Sequence, residues 1–172
     1  FMPVRWGPNL SNAQVVAWFE HVRVQGAAVV SCSWSAEARV YPLSTPVRNA
    51  ITRCATQGRS GKGTVICFAA GNEDRDVDAP NGSSLNGFAT HPDVLAIAAC
   101  TSRDERSEYS NFGAAIALCA PSSGAGGRGI VTADVLGTFS REGRAIDAGY
   151  GAGDFTEDFG GTSSATPLVA GI

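Results

Sequence analysis

The sequence predicts an α/β fold built on a parallel sheet, and three observations predict it. Two runs of small and apolar residues, 27–33 and 64–69, have the make-up of strands buried on both faces. Helix-period segments precede and separate them, giving a strand–helix–strand–helix–strand order whose parallel crossovers should be right-handed. Hydrophobic residues make up 44% of the chain and charged residues 17%, with 21 glycines. That charge is below the roughly 25% of an average globular protein and suits buried strands joined by tight turns.

In chain order, residues 1–5 read as the tail of a short strand. Ser11 is placed as an N-cap, and Val15, Val16, Phe19, Val22 and Val24 form a mostly helical stripe ending near Gly26. Residues 45–56 are a second helix, with Pro46 in its first turn and Val47, Ile51 and Cys54 inward. Residues 58–63 form a turn, and 94–99 and 115–119 two more strands. Residues 121–160 are rich in Gly, Ser and Asp, with one alternating run at 130–135, so a functional surface insertion or a mobile stretch is expected there. From Ser163 onward the apolar spacing is helical again, with a proline in the first turn. The 172 residues make one domain.

Net charge is −3 and basic residues do not cluster, which argues against a nucleic-acid partner. No apolar run approaches the ~18 residues of a membrane span, and no signal peptide is visible. Five cysteines, at 32, 54, 67, 100 and 119, show no CxxC spacing and read as buried free thiols rather than a disulfide framework.

Three segments carry chemistry together. Gly160-Gly161-Thr162-Ser163-Ser164-Ala165-Thr166-Pro167 places a serine among small residues where a helix begins. Unpaired backbone N–H groups and the positive end of the helix dipole gather there, as an oxyanion requires; an ordinary helix cap fits the same residues. Ala69-Ala70-Gly71-Asn72 ends a buried strand with an amide at the carboxyl edge of the sheet, where parallel α/β folds bind ligands. Asn72 is either a neutral oxyanion donor or a turn asparagine. Ser33-Trp34-Ser35 closes another strand, either as a pairing edge and aromatic wall for an extended peptide or as a core strand with Trp34 packed at its end.

In this order the segments resemble the subtilisin-like serine peptidases, the subtilases. Gly161-Thr162-Ser163-Ser164-Ala165-Thr166-Pro167 looks like the family's nucleophile motif, with Ser163 matching the catalytic serine, and Ala70-Gly71-Asn72 like its oxyanion-hole motif. Ser33, Trp34 and Ser35 resemble the strand that pairs with substrate and edges the S1 pocket; Ala69, Ala70, Gly71 and Asn86 complete the implied substrate site. Residues 91–121 follow two later core strands, and Met2-Pro3-Val4-Arg5 the strand before this half. The match leaves out 122–160, so 121–160 is read as a family-variable insertion. Cys32-Ser33-Trp34 and the 58–64 segment lean towards the kexin/furin-like branch, although Ala38 and Asn86 stand where that branch would place acids.

The resemblance implies a three-layer subtilisin-like fold and acyl-transfer proteolysis of extended peptide or protein substrates, in a secreted or extracytoplasmic setting. The family's chain order is Asp, His, Ser, which places Asp and His upstream of residue 1. His21 and His91 lack the glycine-rich flanks of the catalytic histidine. This chain is therefore expected to be a partial catalytic domain, lacking the N-terminal strands and the end of the nucleophile helix. It should be inactive alone and marginally stable without the missing segment of its own domain. No cofactor is needed for the chemistry. Asp74, Asp76 and Asp78 alternate and could converge on a structural Ca²⁺, with Asp78 resembling a calcium ligand of the furin-like branch. An EF-hand is excluded, because Ala79 and Leu85 replace the turn glycine and closing glutamate. Residues 124–129 fit GxGxxG and 58–64 resemble a P-loop, but each is followed by a strand-like run where a helix is required.

Overall fold

The computed structural model describes residues 1–4, 11–35, 38–151 and 153–172. The first helix, α1 (Asn12–Val24), starts at a complete capping box. Ser11 Oγ accepts from the Gln14 N–H at 3.3 Å, and Gln14 Oε1 accepts from the Ser11 N–H at 3.1 Å. Val15, Phe19 and Val22 turn inward, but Val24 is exposed. Two residues beyond Val22 is about 200° around a helix, so Val24 leaves the buried face.

Strand β1 (Val29–Cys32) follows, then the two-residue β2 (Val40–Tyr41) and α2 (Thr45–Gly61). Val47, Ala50, Ile51 and Cys54 bury one face of α2. The turn expected at 58–63 breaks its end: Arg59 and Ser60 adopt left-handed backbone angles. A side chain at Gly63 would meet the Ala55 carbonyl oxygen at 2.0 Å, so only glycine lets the chain reverse there.

Strands β3 (Val65–Ala69), β4 (Leu85–Asn86), β5 (Leu95–Cys100) and β6 (Ile116–Pro121) come next. They assemble a four-stranded parallel sheet in the order β1-β3-β5-β6, with Val29 opposite Val65, Cys67 opposite Leu95 and Ile97 opposite Leu118. The last helix, α3 (Thr162–Ala170), lies across the opposite face from α1 and α2. Strand alternation divides the core accordingly. Ile66 and Phe68 of β3 pack with α1 and α2, while Cys67, Ile97, Ala99 and Ala120 pack with Ala165 of α3. Three layers result.

Several expectations are corrected. Strand β1 is not buried on both faces. It is a sheet edge, and Val29 and Ser31 are exposed while Val30 and Cys32 face the α1/α2 cluster. Residues Phe1–Val4 form no strand, and Arg5 lies outside the described residues. Cys32, Cys54 and Cys67 are buried free thiols, but Cys100 at the end of β5 is half-buried, and Cys119 is exposed on β6, the other sheet edge among the described residues. The 121–160 stretch is more regular than expected. Strands β7 (Ile130–Ala133) and β10 (Phe155–Phe159) pair antiparallel, and between them β8 (Thr138–Arg141) and β9 (Arg144–Asp147) form an exposed hairpin. The chain then returns to Gly160 and Gly161, directly before α3.

Candidate active site

Helix α3 starts at Gly161, whose φ of 74° favours glycine. Pro167 sits inside the helix as its sixth residue, not in the first turn as expected. Without an N–H it cannot bond the carbonyl four residues back, which is that of Ser163. Ser33 fills the vacancy: its hydroxyl donates to the Ser163 carbonyl at 2.8 Å, tying the end of β1 to α3. The Ser163 hydroxyl is half-buried and reaches only the Ser33 carbonyl, at 3.4 Å. That is too long for a strong O–H···O bond, so no base activates it among the described residues.

Asn72 leaves the carboxyl end of β3 and meets the first turn of α3. Its Oδ1 accepts from the Thr162 N–H at 2.8 Å and from Thr162 Oγ1 at 3.0 Å. Two donors on one oxygen fix the amide's orientation and leave Nδ2 as the outward donor. The Ser163 N–H, one of the first-turn donors without an intrahelical acceptor, lies one residue further along the helix. Thr162 Oγ1 also accepts from the buried Gly71 N–H at 3.1 Å, joining the two loops. The arrangement offers a neutral side-chain donor and a backbone donor beside a serine hydroxyl.

The other sequence-derived residues fall into two groups. Ser33 and Ser35 stand at the end of β1 near this junction, with Ser33 exposed. Trp34, by contrast, is half-buried in an aromatic cluster, edge-on to Phe68 at 4.6 Å and Phe88 at 4.8 Å. Ala69, Ala70 and Gly71 are buried beneath Asn72. Asn86 is 8% exposed, and its amide is committed to the backbone. Nδ2 donates to the Ala70 carbonyl at 3.0 Å, while Oδ1 accepts from the N–H groups of Phe88 and Ala89.

The three aspartates do not form one cluster: the Asp76 and Asp78 carboxylates come together beside Gly113, while Asp74 turns away. Asp74 pairs with Arg106 at 2.9 Å, whereas Asp76 Oδ1 accepts from the Asp78 N–H at 3.0 Å. Burial and the adjacent Asp76 push the Asp78 carboxyl up. Among the described residues no three His, Cys, Asp or Glu side chains could hold a metal ion. Neither histidine reaches Ser163. His21 is exposed on α1, and His91 is buried with Nδ1 accepting from the Asp93 N–H at 3.2 Å. Burial lowers the His91 pKa, against the opposing charge of Asp93.

Sequence reading missed the groups that shape the lead-in to α3. The Gly161 N–H donates to Tyr109 Oη at 3.2 Å, and its carbonyl accepts from Ser122 Oγ at 2.8 Å and Ser164 Oγ at 3.1 Å. Ser122 and Ser164 are themselves 2.7 Å apart. The one available signal was position: Ser122 directly follows β6 at the carboxyl edge of the sheet.

The match that decides the family spans the whole chain: the model of the subtilase family, Peptidase S8, aligns over residues 1–172. The chain belongs to the subtilase family. A calcium-dependent protease of Nostoc sp. is 36% identical over 186 residues, covering 99% of this chain and 27% of that protein. An extracellular protease of Xanthomonas campestris pv. campestris is 36% identical over 129 residues, covering 75% of this chain and 18% of its own length. A crystal structure of a lanthipeptide protease superposes with a TM-score of 0.70 at 17% identity, over 94% of this chain and 50% of that one. At that identity the likeness speaks for the subtilisin-like fold alone. This chain spans about a quarter or less of the length of these curated relatives.

Proposed function

We propose that this chain supplies the nucleophile half of a serine endopeptidase, with Ser163 as nucleophile and Asn72 as side-chain oxyanion donor. The observation that carries this reading is the Thr162 clamp on Asn72 Oδ1, which leaves Nδ2 free to donate beside the N-terminus of the Ser163 helix. In this reaction Ser163 Oγ attacks the scissile carbonyl and forms a C–O bond while a histidine takes its proton. The negative oxygen is held by the Ser163 N–H and Asn72 Nδ2. The C–N bond then breaks, the amine leaves with the histidine's proton, and water releases the acyl group by the reverse sequence. The histidine and its aspartate come from outside these 172 residues, consistent with the family's chain order. An extended peptide substrate pairs with residues 33–35 at the end of β1.

By itself the chain should be inactive, since no base meets the Ser163 hydroxyl. The kexin/furin-like leaning rests on Cys32-Ser33-Trp34 and the 58–64 segment; with Ala38 and a fully bonded Asn86 where acids would stand, it does not extend to cleavage after basic pairs. A secreted or extracytoplasmic setting draws support from relatives such as the extracellular protease of Xanthomonas campestris. Among the described residues no helix is long and apolar enough to cross a membrane. Reading the gene upstream of Phe1 tests the proposal: an Asp motif followed by a His motif is expected, and their absence favours a non-catalytic peptide-binding domain.

A further inference from the structure

We propose that Asn111 is a positioning residue for the oxyanion donor, acting on catalysis through Asn72; this deepens the reading of Ser163 and Asn72 given above and rests on it. Asn72 is exposed, and its side-chain hydrogen bonds among the described residues go to Thr162. An amide so placed stabilises a developing charge well only if the backbone beneath it cannot drift. Asn111 grips that backbone on both sides of Asn72. Its own N–H donates to the Gly71 carbonyl at 3.0 Å. Its Nδ2 donates to the Ala70 carbonyl at 2.9 Å and to Glu73 Oε2 at 2.8 Å, and its Oδ1 accepts from the N–H groups of Glu73 at 3.2 Å and Arg75 at 2.9 Å.

Both ends of the Asn111 amide are thus fully used, and at 4% exposure water cannot replace them. The Ala70 carbonyl lies one residue past the end of β3. It accepts a second side-chain amide, Asn86 Nδ2 at 3.0 Å, from β4. Gly71 closes the assembly. Its φ is 106°, and a side chain there would meet Asn111 Nδ2 at 2.4 Å. Asn72 therefore projects from a segment pinned at residues 70, 71, 73 and 75, while its own amide stays free at Nδ2.

Asn111→Asp separates positioning from mere folding, because it keeps the acceptor for Glu73 and Arg75 but turns the donor end into a second acceptor facing Ala70 and Glu73. The experiment uses the full-length protein and an alkyl fluorophosphonate, whose phosphorus is attacked by the serine as fluoride leaves and whose oxygen occupies the oxyanion position. The maximal inactivation rate and the probe's half-saturating concentration are measured in a double-mutant cycle with Asn72→Ala. Asn111→Asp should lower the maximal rate roughly 10- to 100-fold, less than the ~10²–10³ that outright loss of one oxyanion donor costs in subtilisin itself. The half-saturating concentration should stay within about twofold, and in the Asn72→Ala background the effect on rate should vanish. An equal loss in both backgrounds overturns the positioning role while leaving the nucleophile in place. If Ser163→Ala is labelled as fast as the unaltered protein, the underlying reading of the site falls, and this proposal with it. Should the Asp variant not fold, Asn111→Ser places no charge against Glu73 and carries the same cycle with the same outcomes.

Discussion

Replacing Thr162 by valine keeps the shape of a side chain that is fully buried and puts a methyl group in place of its hydroxyl. That oxygen accepts from the Gly71 N–H at 3.1 Å and donates to Asn72 Oδ1 at 3.0 Å. Asn72 is exposed and retains the Thr162 N–H, so water can compensate its loss. The Gly71 N–H is buried and cannot recover a partner, and a buried donor left unpaired costs about 1–3 kcal/mol. Thr162→Ser is the control: it keeps both hydrogen bonds and removes a methyl group, at about 1 kcal/mol. Urea denaturation of the full-length protein, with m held constant, should show Thr162→Val losing more stability than Thr162→Ser. At about 2 kcal/mol the corresponding drop in melting temperature is roughly 4–8 °C for a domain of this size. If serine costs as much as valine or more, the hydroxyl bridge does not hold Gly71, and the account of how Asn72 is fixed fails.

Thiol accessibility tests the sheet edges. A disulfide reagent at pH 8 should modify Cys119 first and Cys100 more slowly, leaving Cys32, Cys54 and Cys67 until unfolding, because burial pushes the Cys32 thiol up to about 12 and also raises the others. Rapid reaction of Cys67 in the native state would mean that α3 does not cover the sheet. For His91, burial lowers the folded pKa below the ordinary histidine value of about 6.5. The unfolded chain therefore binds more protons as pH drops through that value, and stability falls with it, by at most about 1.4 kcal/mol per pH unit for one group. His91→Asn, which can keep an acceptor for the Asp93 N–H, should flatten the fall in urea midpoint between pH 7.5 and 5.5; an unchanged slope would place His91 in contact with water.

The helices were legible because their buried faces follow the 3.6-residue period: Val15, Phe19 and Val22, and Val47, Ile51 and Cys54, lie where the spacing places them. The parallel sheet was legible from its apolar runs, but not its edges, since residue type alone does not tell a central strand from β1 or β6. Strands β8 and β9 are exposed at every residue. They carry no alternation of buried and exposed positions from which a strand could be read. At the site, Ser163 and Asn72 stood out because their motifs are local. Thr162 and Asn111 bond the segment that carries Asn72 across 91 and 41 residues of chain, and no spacing rule announces a contact that only the fold creates. Trp34 and Asn86 show the opposite case. Trp34 came from a motif and Asn86 from an offset, and folding commits one to an aromatic cluster and the other to three backbone groups.

The most direct test of Ser163 as nucleophile is peptide mapping by mass spectrometry after the full-length protein reacts with a fluorophosphonate. A single adduct on the hydroxyl of Ser163, lost in Ser163→Ala and absent from the isolated 172-residue chain, is the predicted result. An adduct on any other residue, or none on the folded full-length protein, would contradict it.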